Sequence, residues 1–323
     1  MNDWDAAIRD LPSHIRCAVN YRATMSRFTT LRVGGVADRL YRATDVDALS
    51  ELVVMAQRRG LKHYLLGDGS NVCVSDKGVR GMVIINGCAG INLGTETYVD
   101  AGYNFMQLSL VAMQAGLSGL EWAIGIPGTV GGALVSNAGA YGGNIVDIVE
   151  RIEVVENSER KSVSPDWMEF SYRDSRLRRD MSRPAVLLRA VLRLRPDLKP
   201  RIRNRAKEIQ RQRMLKQPWE PSAGSFFKNI HNRELAQSIP GLPDLMRERG
   251  VVTSAFLIDQ SGCKGLRVGG AGVSLKHANF VVNFGYATAS DIRALVEKVR
   301  TRVRSTFGID LEEEVLYVGE WGV

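Results

Sequence analysis

The chain has 323 residues, of which 45% are hydrophobic and 24% are charged. This composition predicts a globular protein of one large domain or two, and it excludes an intrinsically disordered chain. The net charge of +8 raises the question of nucleic-acid binding, since basic residues concentrate between Arg173 and Arg213. No aromatic residue interleaves with them and no nucleic-acid-binding motif accompanies them. We interpret the run as a solvated helix face that attracts an anionic small molecule, with a nucleic-acid surface as the alternative.

The cysteines and the N-terminus favour a cytoplasmic protein. The cysteines have no paired spacing, so neither a disulfide framework nor a metal site is expected. They are Cys17, Cys73, Cys88 and Cys263. The N-terminus carries acidic residues and lacks the apolar segment of a signal peptide. Trp122 to Val146 contains no charge, but Pro127, Asn137 and many glycines exclude a membrane-spanning helix there.

The first part of the chain predicts short strands and one helix. The strand segments are LRVGGVADRLYRA, HYLLGDGSNVCVSD, GMVIING and TYVDAG, and VDALSELVVMAQRRG has the period of an amphipathic helix. A long basic helix is predicted from Pro200 onward, another from Ser290 to about Phe307, and a last strand from Leu311 to Val318. This order predicts an α+β fold. A polar turn between Pro196 and Pro200 predicts the domain boundary.

The first glycine-rich segment is LLGDGSNVCV. Gly67 and Gly69 follow an apolar run, as in a dinucleotide-binding fingerprint, but Val72 stands where the third glycine belongs. Because the next residues predict another strand, a Rossmann helix is not expected. We predict a strand, a loop and a strand, with loop amides that bind a phosphate and with Ser70 and Asn71 as further hydrogen-bonding groups. A structural hairpin is the alternative.

The second glycine-rich segment, Gly125 to Gly143, has seven glycines in nineteen residues. Such density predicts backbone that approaches a ligand closely, such as a diphosphate or a planar ring, or that takes positive φ repeatedly. A tight glycine corner between strands is the alternative.

A single serine stands out in PSAGSFFKN. Ser225 lacks the second glycine of a hydrolase nucleophile motif, and the histidines are far from it in sequence. Acyl transfer is therefore a minor alternative, and a serine in a turn before a strand is the other.

Seven separated motifs follow the order of one enzyme family. They are TTLRVGGVADRL, LGDGSN, GLSGLEWAIGIPGTVGGALVSNAGAYGG, SYRDSRLR, KQPWEPSAGSFFKN, GGAGVSLKHANFVVN and LEEEV. From about residue 20 to about 318, the chain resembles the UDP-N-acetylenolpyruvoylglucosamine reductases, flavoproteins of peptidoglycan precursor synthesis. The resemblance implies an α+β fold with a two-lobed FAD-binding domain of the vanillyl-alcohol-oxidase (PCMH) type at 20–197. A smaller α+β substrate-binding domain at 198–320 would follow.

The resemblance also implies non-covalent FAD as the cofactor and NADPH as a co-substrate that shares its site with the nucleotide sugar. By motif position, the residues expected to contact the flavin are Arg32, Gly34, Gly35, Gly67, Asp68, Gly69, Ser70, Asn71, Gly125, Ile126, Pro127, Gly128, Thr129, Gly131, Gly132, Asn137, Gly139 and Ala140.

Three residues match the family's catalytic positions. Hydride transfer from flavin N5 to an enol ether places charge on the substrate carboxylate, which requires a cation and then a proton donor. Arg173 in YRDS matches the position that supports the carboxylate, and Ser225 matches the proton donor. Glu314 matches the glutamate before the valine of the family's LEPEV, with Glu313 in place of its proline. Glu312 has the same strand parity and is the alternative.

Substrate contacts are implied for Tyr172, Lys216 and Asn229, at family positions near the nucleotide or its sugar. The chain matches the branch that lacks an extra tyrosine-bearing loop. It departs from the family pattern in Ile230, which replaces a proline, and in extra residues containing Pro240 and Pro243.

The function expected is therefore reduction of UDP-N-acetylglucosamine enolpyruvate to UDP-N-acetylmuramate. The expected partners are that nucleotide sugar and NADPH, without nucleic acid or membrane, and we expect a monomer. A flavin oxidase of the same fold and a non-catalytic relative that binds UDP-sugar are the alternatives.

Overall fold

The structure is a computed structural model that describes residues 3–180 and 185–322. The helices are α1 (Asp3–Arg9), α2 (Ser13–Arg16), α3 (Val46–Arg58), α4 (Phe105–Ala115), α5 (Val130–Val135), α6 (Arg176–Arg179), α7 (Lys199–Lys216), α8 (Arg233–Ser238), α9 (Asp244–Arg249), α10 (Ser254–Gln260) and α11 (Ala289–Phe307). Short 3-10 helices are Met25–Phe28, Glu121–Ala123, Ile145–Asp147 and Pro165–Met168.

The strands are β1 (Asn20–Thr24), β2 (Val36–Ala43), β3 (His63–Leu66), β4 (Val72–Val74), β5 (Val79–Asn86), β6 (Ile91–Asn92), β7 (Glu96–Asp100), β8 (Leu117–Ser118), β9 (Gly139–Ala140), β10 (Gly143–Asn144), β11 (Val149–Glu156), β12 (Glu159–Val163), β13 (Val186–Arg193), β14 (Arg195–Pro196), β15 (Ser222–Ser225), β16 (Ile230–His231), β17 (Val251–Val252), β18 (Arg267–Val268), β19 (Ala271–Val273), β20 (Phe280–Asn283) and β21 (Leu316–Val318). Helices and strands are mixed throughout, as predicted for an α+β fold.

The chain forms two compact units, each built from separate segments. Of the described residues, unit 1 contains those up to Ala23, Ala37–Gly69 and those from Val79 to Arg213, and unit 2 contains Thr24–Val36, Ser70–Gly78 and those from Met214 onward. The boundary at residues 197 and 198 stays a prediction about domains. The two compact units do not divide the chain at that position, because most of α7 lies in unit 1 and the segments Thr24–Val36 and Ser70–Gly78 lie in unit 2.

Unit 1 has two lobes, each with a sheet. In the first, the strand order is β1-β2-β5-β3, and β2 and β3 both run parallel to β5. The predicted helix α3 begins at Asp45, whose carboxylate accepts a 2.8 Å hydrogen bond from the amide of Ala48. Its buried face, with Leu49 and Leu52, belongs to the same core as Ile84 of β5. The 3.6-residue period of the sequence thus becomes a packed helix face.

The second lobe has the strand order β12-β11-β13-β7-β6, with every neighbouring pair antiparallel. Its core includes Phe105 and Leu108 of α4, Val130 and Leu134 of α5, and Ile152 of β11. Helix α4 ends at Gly116, which takes φ +80° at the left-handed position where glycine is favoured. The two lobes confirm the fold class predicted for this part of the chain.

Unit 2 packs the sheet β15-β20-β19-β18 with α10 and α11 around one core. The predicted helices α7 and α11 are confirmed, but the last strand was predicted too long. Only Leu316–Val318 is a strand, and it pairs with β4 in parallel. Glu313 forms an isolated bridge with Phe227, and the chain bends at Val315. The side-chain alternation that grouped Glu314 with Leu316 and Val318 is therefore interrupted.

The extra residues between Ile230 and Thr253 form an ordered part of unit 2, folded as β16, α8, α9 and β17. The Arg247 guanidinium donates hydrogen bonds to the carbonyls of Gln237 (3.0 Å), Ile239 (2.9 Å) and Leu242 (2.9 Å). Both Ile239 and Leu242 are buried in the unit 2 core. One guanidinium thus binds three backbone carbonyls, at the end of α8 and in the connection from α8 to α9. Across the described part of the chain, no helix is long and apolar enough to span a membrane.

Candidate active site

Gly67 of the first glycine-rich segment and Thr129 of the second meet inside unit 1. A Cβ atom on Gly67 would lie 2.4 Å from Oγ1 of Thr129, so the backbone at Gly67 approaches closely and tolerates no side chain. Asn104 joins both segments, because its Nδ2 donates to the Asp68 carboxylate at 3.1 Å and its backbone bridges to Thr129. As predicted, the first segment is a loop between β3 and β4 with no Rossmann helix.

Part of the second segment is helical, which the sequence did not predict. Helix α5 begins at Thr129, whose hydroxyl accepts from the amide of Gly132 at 3.2 Å. A Cβ atom on Gly143 would lie 2.2 Å from the Trp122 ring. Close packing therefore explains some of the glycines, which supports the alternative reading of a tight corner for that part of the segment.

Arg173 is oriented by the same segment. Its guanidinium donates to the carbonyls of Asn137 (3.3 Å) and Gly139, and it lies 5.1 Å from the centroid of the Tyr172 ring. The Asn137 side chain in turn donates to the carbonyl of Ser171 at 2.8 Å. The Oδ1 atom of Asn137 is buried and has no hydrogen-bond partner among the described residues. A buried acceptor of this kind requires a donor, which a ligand can provide.

Arg213 is a candidate site residue that the sequence analysis missed. Its guanidinium lies 5.2 Å from the Tyr141 ring centroid and donates to the carbonyl of Trp122 at 3.3 Å. Burial and the nearby Arg173 lower the pKa of Arg213. Its Nε is buried without a partner among the described residues. Two cations in one partly buried place favour an anionic ligand.

The spacing of apolar residues in α7 could have indicated that Arg213 points inward. Ile202 and Ala206 are buried and Ile209 packs against the core of the second lobe. Arg213 continues that series at spacings of 4, 3 and 4 residues, so it lies on the inner face of α7. The other faces of α7 are exposed to solvent, as predicted for the basic residues of this helix.

Ser225 lies at the end of β15 in unit 2. It pairs with Phe280, and it is followed by Phe226 and Phe227, which are fully buried. The carbonyl of Phe226 accepts a 2.8 Å hydrogen bond from the amide of Glu314. Ser225 is half-buried, and its hydroxyl makes no hydrogen bond to any residue in the described ranges. The structure thus brings the predicted proton donor and the predicted carboxyl onto neighbouring backbone segments.

Glu312 and Glu314 differ in their surroundings. Glu312 is paired with Lys228 at 2.6 Å, and its side chain is 71% exposed. Glu314 is half-buried, and its carbonyl accepts a 3.1 Å hydrogen bond from Nδ2 of Asn71. Asn71, predicted as a flavin contact, therefore also holds the backbone at Glu314.

Four further predicted contacts lie in unit 2. Arg32 takes φ +55°, and Gly35 donates from its amide to the carbonyl of Ser75 at 2.9 Å. Asn229 uses its Oδ1 to accept from the amide of Ser254 at 3.1 Å, and Lys216 is exposed at the end of α7.

Each unit therefore holds a part of the predicted set. Unit 1 contains Gly67 to Gly69, the Gly125 to Ala140 residues, Tyr172 and Arg173, and unit 2 contains Arg32, Gly34, Gly35, Ser70, Asn71, Lys216, Ser225, Asn229 and Glu314. Within the described residues, no group of histidine, cysteine, aspartate and glutamate has the arrangement of a metal site.

Known proteins match both parts of the chain. Residues 37–160 match the model of the FAD binding domain family, and residues 215–318 match the C-terminal domain of UDP-N-acetylenolpyruvoylglucosamine reductase. A UDP-N-acetylenolpyruvoylglucosamine reductase from Moorella thermoacetica is 38% identical over 322 residues, 98% of this chain and 99% of the relative. The chain belongs to the UDP-N-acetylenolpyruvoylglucosamine reductase family.

Further relatives agree with this assignment. A second enzyme of that name, from Symbiobacterium thermophilum, is 39% identical over 95% of this chain and 93% of its own. The crystal structure of UDP-N-acetylenolpyruvylglucosamine reductase from Thermus caldophilus superposes with a TM-score of 0.74 at 35% identity, covering 93% of this chain and 98% of that one. The reductase fold thus extends over nearly the whole chain.

The residues of unit 1 fit the flavin expected for this reductase family. The loop at Gly67 and the segment after Gly125 present closely approaching backbone, which suits a ligand that packs against main chain. The buried Oδ1 of Asn137 and Nε of Arg213 require a donor and an acceptor, respectively. The polar edge of a flavin ring offers both kinds of group.

Proposed function

We propose that this chain is an NADPH-dependent, FAD-containing enzyme that reduces the enolpyruvyl ether of UDP-N-acetylglucosamine to UDP-N-acetylmuramate. This reaction would serve peptidoglycan precursor synthesis in the cytoplasm. The observation that carries the proposal is the 2.8 Å hydrogen bond from the amide of Glu314 to the carbonyl of Phe226, the residue after Ser225. Two motifs that are 89 residues apart in sequence are thus joined through their backbones, and they would supply the hydroxyl and the carboxyl for one reaction. The whole-length similarity to the reductases supports the same conclusion.

The glycine-rich residues of unit 1 would hold FAD without a covalent link. When bound, FAD supplies the hydride, which it receives from NADPH. The chain shows no separate nucleotide fingerprint besides the segments already assigned. We therefore propose that NADPH leaves before the nucleotide sugar binds at the same place.

Arg173 would bind the carboxylate of the enolpyruvyl group. A planar guanidinium matches a carboxylate with two parallel hydrogen bonds, and its charge stabilises the negative charge that develops there. The carbonyls of Asn137 and Gly139 orient it before the substrate arrives. This preorganisation means that no rearrangement of the guanidinium is needed during the reaction.

Ser225 would donate a proton to the carbon next to that carboxylate. A hydroxyl is a weak acid in water, but the enediolate is a strong base, so transfer is favourable where water is excluded. The buried rings of Phe226 and Phe227 follow it in the chain, at 5.6 Å between ring centroids. The backbone at Glu314 is bonded to that of Phe226, the residue after Ser225. Glu314 would therefore orient the substrate or assist the proton transfer.

An anaerobic experiment tests the proposal. The purified protein should show a flavin spectrum, lose it on addition of NADPH, and regain it on addition of the enolpyruvyl nucleotide sugar. In Ser225→Ala, we expect reduction by NADPH to be unchanged and reoxidation by the sugar to be about 100-fold slower or more. Ser222→Ala is the matched control, because Ser222 begins the same strand and is also half-buried.

Two outcomes would contradict the proposal. A reduced flavin that ignores the nucleotide sugar in the wild-type protein would exclude the substrate. Equal reoxidation rates in wild type and Ser225→Ala would keep the reaction and exclude Ser225 as the proton donor.

A further inference from the structure

A large aromatic side chain lies exposed just before the strand that carries Ser225. Trp219 lies between Pro218 and Pro221 and is 77% exposed. The two prolines restrict the backbone on either side of it. Leu275 of a neighbouring loop is also 77% exposed. An exposed indole on a restrained segment can present its ring face to a ligand.

The indole ring has a fixed cation beside it. Nζ of Lys276 lies 5.6 Å from the centroid of the Trp219 ring, within the range of a cation–π interaction. The same ammonium donates a 2.7 Å hydrogen bond to the carbonyl of Met214. This bond connects the end of α7 with the loop after β19, and it holds the Lys276 ammonium near the Trp219 ring. We call Trp219 and Lys276 the indole–lysine pair.

More positive charge surrounds the loop that carries Lys276. Burial lowers the pKa of the adjacent His277, and the charges of Lys264 and Lys216 lower it further. Lys264 also bonds to the Asp259 carboxylate at 2.8 Å. The ammonium of Lys276 beside the ring is therefore the main attraction for an anion there, and Lys216 adds positive charge near the same loop.

We propose that the indole–lysine pair binds the nucleoside diphosphate portion of a substrate, with the base on the face of Trp219 and the diphosphate beside Lys276. Stacking on an aromatic ring suits a nucleobase, and a lysine ammonium suits a phosphate. This inference rests on the proposed function, which names two ligands with this chemistry, the UDP-sugar and NADPH. The proposal assigns Trp219 and Lys276 to the nucleoside diphosphate portion that the UDP-sugar and NADPH have in common.

The position of the pair along the chain agrees with the order of groups in a nucleotide sugar. Trp219 precedes β15 and Ser225 ends it, and six residues of extended chain span at most about 20 Å. In a UDP-sugar, the base and the reacting sugar lie at opposite ends of the diphosphate. The base would lie at the Trp219 end and the sugar at the Ser225 end.

Calorimetric binding to the oxidised holoprotein tests the inference without turnover. The probes are UDP-N-acetylglucosamine for the sugar nucleotide and 2′-phospho-ADP-ribose for NADPH. For the ligand that uses the pair, we expect Trp219→Ala to weaken binding about tenfold, about 1.4 kcal/mol, and Trp219→Phe to weaken it less than threefold. We expect Lys276→Met to weaken binding of UDP more than binding of uridine. Tyr286→Ala is the control, because Tyr286 is 69% exposed in the same unit.

The outcomes separate this inference from the proposed function. Weaker binding of only one probe in Trp219→Ala would support the inference and assign the pair to that ligand. Unchanged affinity for both probes, with normal binding by the wild type, would overturn the inference and leave the reductase proposal standing. If the wild-type holoprotein bound neither probe, this inference would be overturned, and the anaerobic experiment would decide the reductase proposal by itself.

Discussion

Asn71 and Glu314 are joined by a hydrogen bond although 243 residues separate them in sequence. Nδ2 of Asn71 donates to the carbonyl of Glu314 at 3.1 Å, and the carbonyl of Asn71 accepts from the amide of Leu316 at 3.0 Å. The amide of Glu314 is bonded on its other side to Phe226. The backbone that carries Glu314 is thus fixed between the loop after β3 and the strand end at Ser225.

Asn71→Ala should slow the reaction through Glu314. Losing this donor removes one hydrogen bond, about 1 kcal/mol, and we expect flavin reoxidation by the nucleotide sugar to slow about fivefold. Because Asn71 would act through Glu314, its effect should shrink in a Glu314→Gln background. Single-turnover rates of the four proteins measure this coupling. Strictly additive effects would contradict it, and loss of FAD from Asn71→Ala would instead support the flavin contact predicted from the sequence.

Asn279 should be one of the larger contributors to the stability of unit 2. It is 3% exposed, its Oδ1 accepts from the amide of Phe227 at 2.9 Å, and its Nδ2 donates to the Phe227 carbonyl at 2.8 Å. Asn279→Ala leaves both buried backbone groups without these partners, so we expect the free energy of unfolding to fall by about 2–4 kcal/mol.

Urea unfolding of Asn279→Ala beside Asn232→Ala measures the difference. Asn232 is an exposed N-cap of α8 that accepts from the amide of Leu235 at 2.9 Å, so its loss should cost only about 1 kcal/mol. Equal destabilisation by the two substitutions would show that the buried amide of Asn279 has no special importance.

Local patterns in the sequence predicted the long helices well, because α3 and α11 show their buried faces as a 3.6-residue period. The last strand was predicted too long, since the hydrogen bonds of Glu314 to Phe226 and of Leu316 to Asn71 are made with two different segments, and the chain bends between them. Such long-range partners leave no periodic trace. Unit 2 includes Ser70–Gly78 for the same reason, because β4 pairs with β21 from the far end of the chain.

Site residues that belong to short sequence motifs could be predicted from the sequence. A residue that reaches the site only through the packing of a helix could not. Ser225 and Arg173 were named from short motifs, and their catalytic roles stay predictions. Arg213 was absent from the prediction because a basic run hides one inward-facing arginine among many solvated ones. Its spacing from Ile202 and Ala206 indicated the face, but its partners, the Trp122 carbonyl and the Tyr141 ring, lie in a distant segment.

Acid should unfold Arg205→Met at a higher pH than the wild type. Burial alone would raise the pKa of Glu121, but the amide of Gly119, the Arg205 guanidinium and the Ser118 hydroxyl outweigh it and hold that pKa below its usual value. Arg205 donates to Oε1 of Glu121 at 2.6 Å. A carboxyl with a depressed folded-state pKa adds stability above its unfolded-state pKa, and that stability is lost as the pH falls through the folded-state value.

Removing Arg205 raises the folded-state pKa of Glu121, so the loss begins at a higher pH, and at pH 7 we expect about 1–3 kcal/mol of destabilisation. Circular dichroism during acid titration measures the midpoint. Lys207→Met is the control, since it removes one exposed charge from the same helix. If the two variants had the same acid midpoint, net charge rather than the Glu121 contact would be responsible.

One thiol of the four should react in the native protein. Cys17 is exposed, whereas Cys73, Cys88 and Cys263 are buried. Burial raises the pKa of Cys73 and of Cys88 to about 12, and it also raises that of Cys263. Because the thiolate is the reactive form, a group with a pKa near 12 is only about 0.01% ionised at pH 8. Ellman's reagent should therefore titrate one thiol per chain at pH 8 and four in guanidinium chloride. Cys17→Ser should abolish the native reaction, and a second fast-reacting thiol would mean that the segment around a buried cysteine opens readily.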